Sequence, residues 1–451
     1  MTIQINPREI AAEALVTILK EEGYNTTVLQ KILRQNGAMS KKDRAFVTEL
    51  VNGCLRNLYY IDFVINNVSK LKTEKMKPWI LAVLRTAVYQ FFFMNVPENA
   101  LCNEAVNLVK KRGLSKLAGF TNGVLRNIIR QKDTIVLPQE KENPLQYLSL
   151  KYSHPQWLLK MWLHDKDYDF VKALCKQNNV SPDVTIAVNT LLTTKESLKK
   201  ELEQEGIWVK EGYHYDMALH LSKTSDMGKM NAFKQGKFHV QDESSITAVT
   251  VLAPKENDVI LDMCAAPGGK SFLMAEKMQN KGRIYCCDIH EHKLELLQEG
   301  AKRLGISIID TKLQNGSIYQ PQFQYFFDKV LVDAPCSGLG LMRKKPDIRL
   351  KKNGNDIDSL VILQRQILHQ AAKYVKKGGV LVYSTCTLCK KENEKNIEWF
   401  LQENQNYQTE DITPFLPNTI QSETKKMGYI TLYPHIHYTD GFFICRLKRK
   451  E

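Results

Sequence analysis

Residues Val259–Ser271 read VILDMCAAPGGKS, and the fold of the C-terminal half turns on that stretch. It opens as a continuous apolar run, the mark of a strand buried on both faces of a parallel sheet. Small residues and a glycine pair follow, and these let a backbone approach a ligand closely. The next residues, FLMAEKM, carry helical amphipathic spacing. Strand, glycine turn and helix describe either an ordinary βα turn or a nucleotide site. The following strand, GRIYCCD, ends in Asp288, twenty residues after Gly268. An acid so placed hydrogen-bonds ribose hydroxyls in doubly wound sheets, and it also suits a cap for a helix from Glu291. The G-x-G-x-x-G fingerprint is absent, so adenosine without a pyrophosphate is expected rather than a dinucleotide.

Further on, FDKVLVDAPCSG places Asp333, Pro335 and Cys336 at the end of a second buried strand. A basic loop, LMRKKPDIRLKK, carries Arg343, Lys344, Lys345 and Arg349. A helix over Leu360–Val375 leads to GGVLVYSTCT, whose end holds Cys386. Ligands of open α/β sheets bind at the carboxyl ends of the strands. A lone cysteine there is usually packing. Two of them beside a nucleotide-type turn point to chemistry.

Upstream, residues 1–132 read as a helical bundle, with apolar residues at helical spacing in Ile10–Leu19, Phe46–Val68, Ile80–Met94 and Ala105–Ile129. The aromatics Tyr89, Phe91, Phe92 and Phe93 read as core. Residues 133–152, with Pro138, Pro144 and the QEKEN stretch, read as a linker. Residues 153–235 read as a small α/β subdomain, and 236–451 as the Rossmann-like domain.

The 451-residue chain has 63 basic and 49 acidic residues, a net charge of +14, which points to a polyanion as partner. Lys110, Lys111, Arg112, Lys116, Arg126, Arg130 and Lys132 follow one another with no acid between Glu104 and Asp133. That run reads as a phosphate-binding face, with a solubilising face as the alternative. The start, MTIQINPREIAAEAL, lacks the pattern of a signal peptide, and no apolar run is long enough to span a membrane. A cytoplasmic chain with no membrane partner and no second subunit is expected. The ten cysteines contain one CxxC, Cys386–Cys389, without a second ligand pair, so no metal site is expected.

The blocks LDMCAAPGGKS, DAPCSGLG, RKKPDI, YSTCTL and TDGFFICRL resemble those of RNA cytosine-C5 methyltransferases that use S-adenosylmethionine. They fall in order from Phe238 to Arg446. KKRGLSKLAGFTNGVLRNIIRQ resembles the RNA-binding domain of the antitermination factor NusB. A NusB-like domain before the methyltransferase domain is similar to the small-subunit ribosomal RNA branch of the family, which implies that RNA as partner.

The resemblance implies roles. Cys386 would be the nucleophile, adding to carbon 6 of cytosine to activate carbon 5. Cys336 would assist release of the product, and Asp333 would hold the base edge, with Lys270 a positive neighbour. Cys264, Ala265, Ala266, Pro267, Gly268, Gly269, Lys270, Asp288 and Asp333 would hold the cofactor. The family places an acid after the third strand for the adenine amino group. Asn315 stands there in this chain, its side-chain oxygen a suitable acceptor, with Asp310 as the alternative. Lys110, Lys111, Arg112, Arg126, Arg130, Arg343 and Lys345 would contact RNA phosphates. Rival readings are the same chemistry on tRNA, a DNA cytosine-C5 methyltransferase and a non-catalytic assembly factor. The Thr-Cys motif and the NusB-like block argue against DNA, and the intact cysteines and glycine loop against a silent protein.

Overall fold

The computed structural model describes residues 6–21, 23–222 and 227–451. The signal-peptide reading rests in part on residues 1–5, which lie outside the described residues, as do 22 and 223–226. The chain forms two compact units, Met1–Val180 with Met342–Lys351, and Ser181–Leu341 with Lys352–Glu451.

The first unit is all helix. Asn6 caps the helix Pro7–Lys20 by accepting from the backbone N–H groups of Arg8 and Glu9, and Ser40 caps Lys41–Arg56. Pro78–Phe93 is apolar on most sides and buried accordingly, with Ile80, Val83, Leu84 and Val88 against Leu15, Leu50 and Val64. Tyr89 packs so closely on Lys41–Arg56 that a Cβ at Gly53 would lie 2.0 Å from its ring. The aromatic run is partly core: Tyr89 is buried and Phe91 and Phe92 pack on the core, but Phe93 is exposed.

The segment read as a linker contains the helix Pro144–Tyr152, capped by Asn143. Pro144 takes the first helical position, where proline starts a helix rather than breaking one. The helices Gln156–Asp165 and Tyr168–Asn178 belong with the first compact unit too.

Met342–Lys351 also belongs to this unit, and here the basic loop needs correction. Arg349 is fully buried and donates to the carbonyls of Tyr152 and Ser153 (3.2 and 3.0 Å) and to Asn179 Oδ1 (2.9 Å). Burial pulls its guanidinium pKa down to about 10. Asp347 accepts from the Asn25 N–H at 3.0 Å, and the Lys351 ammonium from the same segment bonds the Gly23 carbonyl. Arg343 is buried as well.

The second unit holds two sheets. The small one contains β1 (Val184–Val188), β2 (Trp208–Glu211), β3 (Ala218–Ser222) and β4 (Phe238–Val240), in the order β2-β3-β1-β4. All its pairings are antiparallel, with Ile186 opposite Leu219 on one side and Val240 on the other. Its fourth strand lies past residue 235, so the small subdomain reaches residue 240.

The large sheet has β5 (Val259–Asp262), β6 (Arg283–Asp288), β7 (Ile309–Leu313), β8 (Phe327–Asp333), β9 (Val375–Thr385), β10 (Tyr407–Thr409), β11 (Tyr429–Leu432) and β12 (Phe442–Arg449). The order is β10-β12-β9-β8-β5-β6-β7, with β11 on β12. β7, β6, β5, β8 and β9 are parallel, and β12 runs antiparallel to β9. Alternate residues feed two cores: Ile260, Ile284, Leu331 and Val382 on one face, Leu261, Tyr285, Val330 and Leu381 on the other. The chain lays β6 and β7 to one side of β5, then returns to lay β8 and β9 on its other side. Strand order therefore reverses between β5 and β8, where such sheets open a crevice for ligands. Among the described residues no helix is long and apolar enough to cross a membrane.

Arg349→Ala removes a buried donor and strands the carbonyl of Ser153. Urea denaturation should show a loss of at least about 3 kcal/mol, from several charge-assisted bonds at about 1.5–3 each. A loss below about 1 kcal/mol would show that Arg349 is not a strut.

Candidate active site

The turn after β5 is held by backbone bonds from Ala265 N to the Cys287 carbonyl (2.9 Å) and from Gly268 N to the Ala265 carbonyl (2.8 Å). Gly268 has a φ of +107°, and a Cβ there would lie 2.6 Å from the Phe272 ring and 2.8 Å from Leu297. Only glycine fits. Gly269 begins the helix Gly269–Lys277, whose first N–H groups lack helical partners. Cys264, Ala265, Ala266 and Pro267 form the approach to this turn; the Cys264 thiol is pushed well up by burial and neighbouring carboxylates.

Beneath the turn lies Asp262, which carries no role in the sequence argument. It is buried, with Oδ2 accepting from Ser271 Oγ at 2.7 Å and Oδ1 without a partner. Burial raises its pKa to about 7. Gln241 Nε2 is also buried without a partner, and its Cδ lies 4.0 Å from where a Cβ on Gly269 would sit. One acceptor and one donor therefore stand unsatisfied beside the glycine turn.

Asp288 ends β6, half-buried, with Oδ1 accepting from the His290 N–H at 3.0 Å. His290, not Asp288, occupies the N-cap of Glu291–Arg303. Asn315 is exposed just past β7, and its Oδ1 already accepts from Ser317 N (3.0 Å) and Ser317 Oγ (2.8 Å). Its side chain thus offers an amide donor more readily than the expected acceptor. Asp310 pairs in register with Tyr285 and bonds Arg283, which sets it below the carboxyl edge that Asp288 marks.

Asp333 ends β8 and lies in register with Ser384 of β9. Its Oδ2 accepts from Lys270 Nζ at 2.6 Å and its Oδ1 from Ser384 Oγ at 2.9 Å. The Lys270 ammonium also stands 5.1 Å from the centre of the Phe442 ring. Burial works against its charge, but Asp333 outweighs that and raises its pKa. Beyond this pair, Cys336 Sγ and Cys386 Sγ approach to 3.2 Å. The contact with Cys386, with burial, pushes the Cys336 thiol well up. Either sulfur can be the donor in this contact. The Cys386 carbonyl accepts from Gly340 N, and the Gly340 carbonyl from Gly441 N, each at 2.9 Å.

Sequence reasoning also passed over Ser384 and Glu392. Glu392 follows Cys386 in KKENEKN, a stretch whose spacing resembles any exposed helix start, yet it is fully buried beside both cysteine loops.

The basic run is partly answered by acids from another helix. Lys111 pairs with Glu9 at 2.5 Å, and Arg112 pairs with Glu13 at 3.0 Å while lying over Trp79. Lys110, Arg126 and Arg130 are exposed, and Arg130 donates to Asn127. In the second basic stretch Lys345 is exposed, whereas burial removes Arg343 from the surface where a phosphate contact belongs.

Three family models match the chain: the NusB family over residues 5–130, the ferredoxin-like domain of RsmF/B-like methyltransferases over 154–228, and 16S rRNA methyltransferase RsmB/F over 249–448. The chain is 36% identical to the probable ribosomal RNA small subunit methyltransferase B of Bacillus subtilis (strain 168), with 98% of each chain covered. It is 30% identical to ribosomal RNA small subunit methyltransferase B of Escherichia coli O1:K1 / APEC over 100% of both chains. The crystal structure of PH0851 is similar over 100% of both chains, with a TM-score of 0.82 and 28% identity.

Asp262 yields a pH-dependent prediction. Its raised folded pKa means that the folded state binds the extra proton, so stability falls as pH rises from the ordinary carboxylate range to about 7. The fall amounts to at most roughly 4 kcal/mol, at 1.36 kcal/mol per pKa unit. Asp262→Asn keeps an acceptor for Ser271 and removes the ionisation. Its stability relative to the parent should therefore grow between pH 4.5 and 8 in urea melts, and a constant difference would show that Asp262 does not titrate there.

Proposed function

Because the chain belongs to the ribosomal RNA small subunit methyltransferase B family, we propose that it methylates carbon 5 of a cytosine in 16S ribosomal RNA through a covalent cysteine–cytosine adduct. The observation that carries this reading is the pair of thiols 3.2 Å apart at the ends of adjacent parallel strands, next to the Lys270–Asp333 ion pair.

The residues at the glycine turn fit S-adenosylmethionine. Asp262 Oδ1 and Gln241 Nε2 lack partners, and Gly268 and Gly269 leave room for close approach. Asp288 retains a second carboxylate oxygen for ribose hydroxyls. Asn315 takes the adenine edge, through its amide given the bonds its oxygen already makes. When bound, S-adenosylmethionine supplies a methyl group on a sulfonium that departs as a neutral thioether.

Cys386 attacks as the thiolate. Its sulfur bonds carbon 6, and the electron pair of the 5,6 double bond moves to carbon 5. Carbon 5 takes the methyl group. The carbon 5 proton then passes to water, the 5,6 double bond re-forms and the sulfur–carbon 6 bond breaks. Cys336, holding its proton, donates a hydrogen bond to the departing sulfur. Asp333 has lone pairs beyond those used by Lys270 and Ser384, and these hold the polar edge of the base. The exposed Lys110, Arg126, Arg130 and Lys345 bind phosphates, with Lys111 and Arg112 contributing less because Glu9 and Glu13 already answer them.

Two experiments test the reading. Cys386→Ala should abolish transfer with cofactor affinity unchanged, whereas Cys336→Ala should accumulate an RNA–protein adduct that survives a denaturing gel. Turnover by Cys386→Ala, or an adduct that survives its introduction, contradicts the assignment. Separately, neutralising Lys110, Arg126 and Arg130 should reduce the log–log salt slope of RNA binding by roughly 0.7–0.9 per lost phosphate contact. Maximal rate should hold, since such contacts are equal in ground and transition states. An identical slope would mean that this face does not bind RNA.

A further inference from the structure

Glu392 is 0% exposed, and four donors converge on its carboxylate. Oε1 accepts from Ser337 Oγ (2.5 Å) and Thr387 Oγ1 (3.1 Å), and Oε2 from Ser337 N (2.9 Å) and Gln364 Nε2 (2.9 Å). Ser337 follows Cys336 in the chain, and Thr387 follows Cys386. The residues before the cysteines are held from the same place. Gln364 Nε2 also donates to the Pro335 carbonyl at 2.9 Å. Asn393, next to Glu392, accepts from Thr385 Oγ1 at 2.6 Å and donates to the Thr387 carbonyl at 3.0 Å. Both cysteines are thus bracketed on either side by bonds that converge on Glu392 and its neighbours.

We propose that Glu392 is a positioning residue that sets the spacing of the two thiols by binding both cysteine loops at once. The proposal rests on the roles given to Cys386 and Cys336 above. Both N–H donors fall on Oε2, which must therefore accept, whereas Oε1 faces two hydroxyls whose two protons serve three contacts. Burying a carboxylate among neutral donors is costly, and apolar packing would hold two loops together without it. What the carboxylate adds is a fixed geometry, because Ser337 and Thr387 reach the same oxygen and lie 2.7 Å from each other.

The placement also separates two chemically identical side chains. Cys336, held up first by its contact with Cys386 and by burial, feels the Glu392 charge as a further push toward the protonated form. Lys270, paired with Asp333, feels the charge of Cys386.

The test uses the full-length protein with S-adenosylmethionine and an unmodified 16S ribosomal RNA transcript. Glu392→Ala, which removes both oxygens, should lower turnover roughly tenfold to hundredfold, the scale for misplacement of about 1 Å, while Glu392→Gln, whose oxygen can face the two N–H donors, should recover part of the loss. RNA half-saturation and cofactor affinity should stay within about twofold of the parent, since no binding contact is removed. An RNA–protein adduct should accumulate as it does for Cys336→Ala. Phenylarsine oxide, which needs two adjacent thiols, should capture the parent's pair and lose it in the variant. Thr387→Val removes one hydroxyl partner and should show the same pattern more weakly, which keeps the test available if Glu392→Ala does not fold. Parent-like turnover and arsenical capture overturn the positioning role, as does a loss of activity matched by a loss of cofactor binding. Cys386→Ala run alongside separates the two levels. An adduct there contradicts the underlying mechanism, whereas no adduct there together with a parent-like Glu392→Ala contradicts the positioning role alone.

Discussion

The ammonium of Lys270 and the carboxylate of Asp333 meet at 2.6 Å where strand order reverses between β5 and β8. Lys270 comes from the first turn after the glycine loop, Asp333 from the end of β8, and Ser384 of β9 completes the contact. Three segments far apart in sequence are tied at one point. Two opposite charges in a half-buried crevice attract more strongly than in water, and neither is easily removed alone. The glycine turn with Asp262 and Gln241 stands on one side of the pair, and the cysteine loops on the other. In the proposed mechanism the ion pair lies where the cofactor turn and the cysteine loops meet.

The parallel sheet was legible because buried strands write themselves as apolar runs, as in VILD and KVLV, with polar residues where each run leaves the sheet. Asp288, Asp333, Cys336 and Cys386 could be placed at one edge for that reason. The helical block was legible from its spacing. Long-range partners were not. Glu9 and Glu13 lie about a hundred residues from Lys111 and Arg112, so a run without acids in sequence is not one in space. Arg349 and Arg343 look like surface bases in RKKPDIRLKK, yet both are internal in the helical unit. Pro144 reads as part of a linker because its cap, Asn143, acts through geometry that spacing does not carry. Glu392 was missed for the same reason: its four donors come from three separate segments.

Ten cysteines of one chemical type divide by surroundings. Cys286, Cys287, Cys389 and Cys445 are buried, and burial raises their thiols. Cys336 and Cys386 are the pair in mutual contact at the carboxyl edge, and the groups flanking them carry opposite charge. The proposed division of labour between the two thiols needs such an asymmetry, and Lys270 and Glu392 are the charged groups that supply it.

The central claim is that the Cys386 sulfur forms the bond to carbon 6. A ribosomal RNA transcript carrying 5-fluorocytidine tests it most directly, because fluorine at carbon 5 cannot leave as a proton does and the adduct is arrested. Mass spectrometry of the digested complex should find the modified nucleotide on the peptide that holds Cys386. A cross-link on the Cys336 peptide, or an inhibited enzyme with no cross-link, would contradict the account.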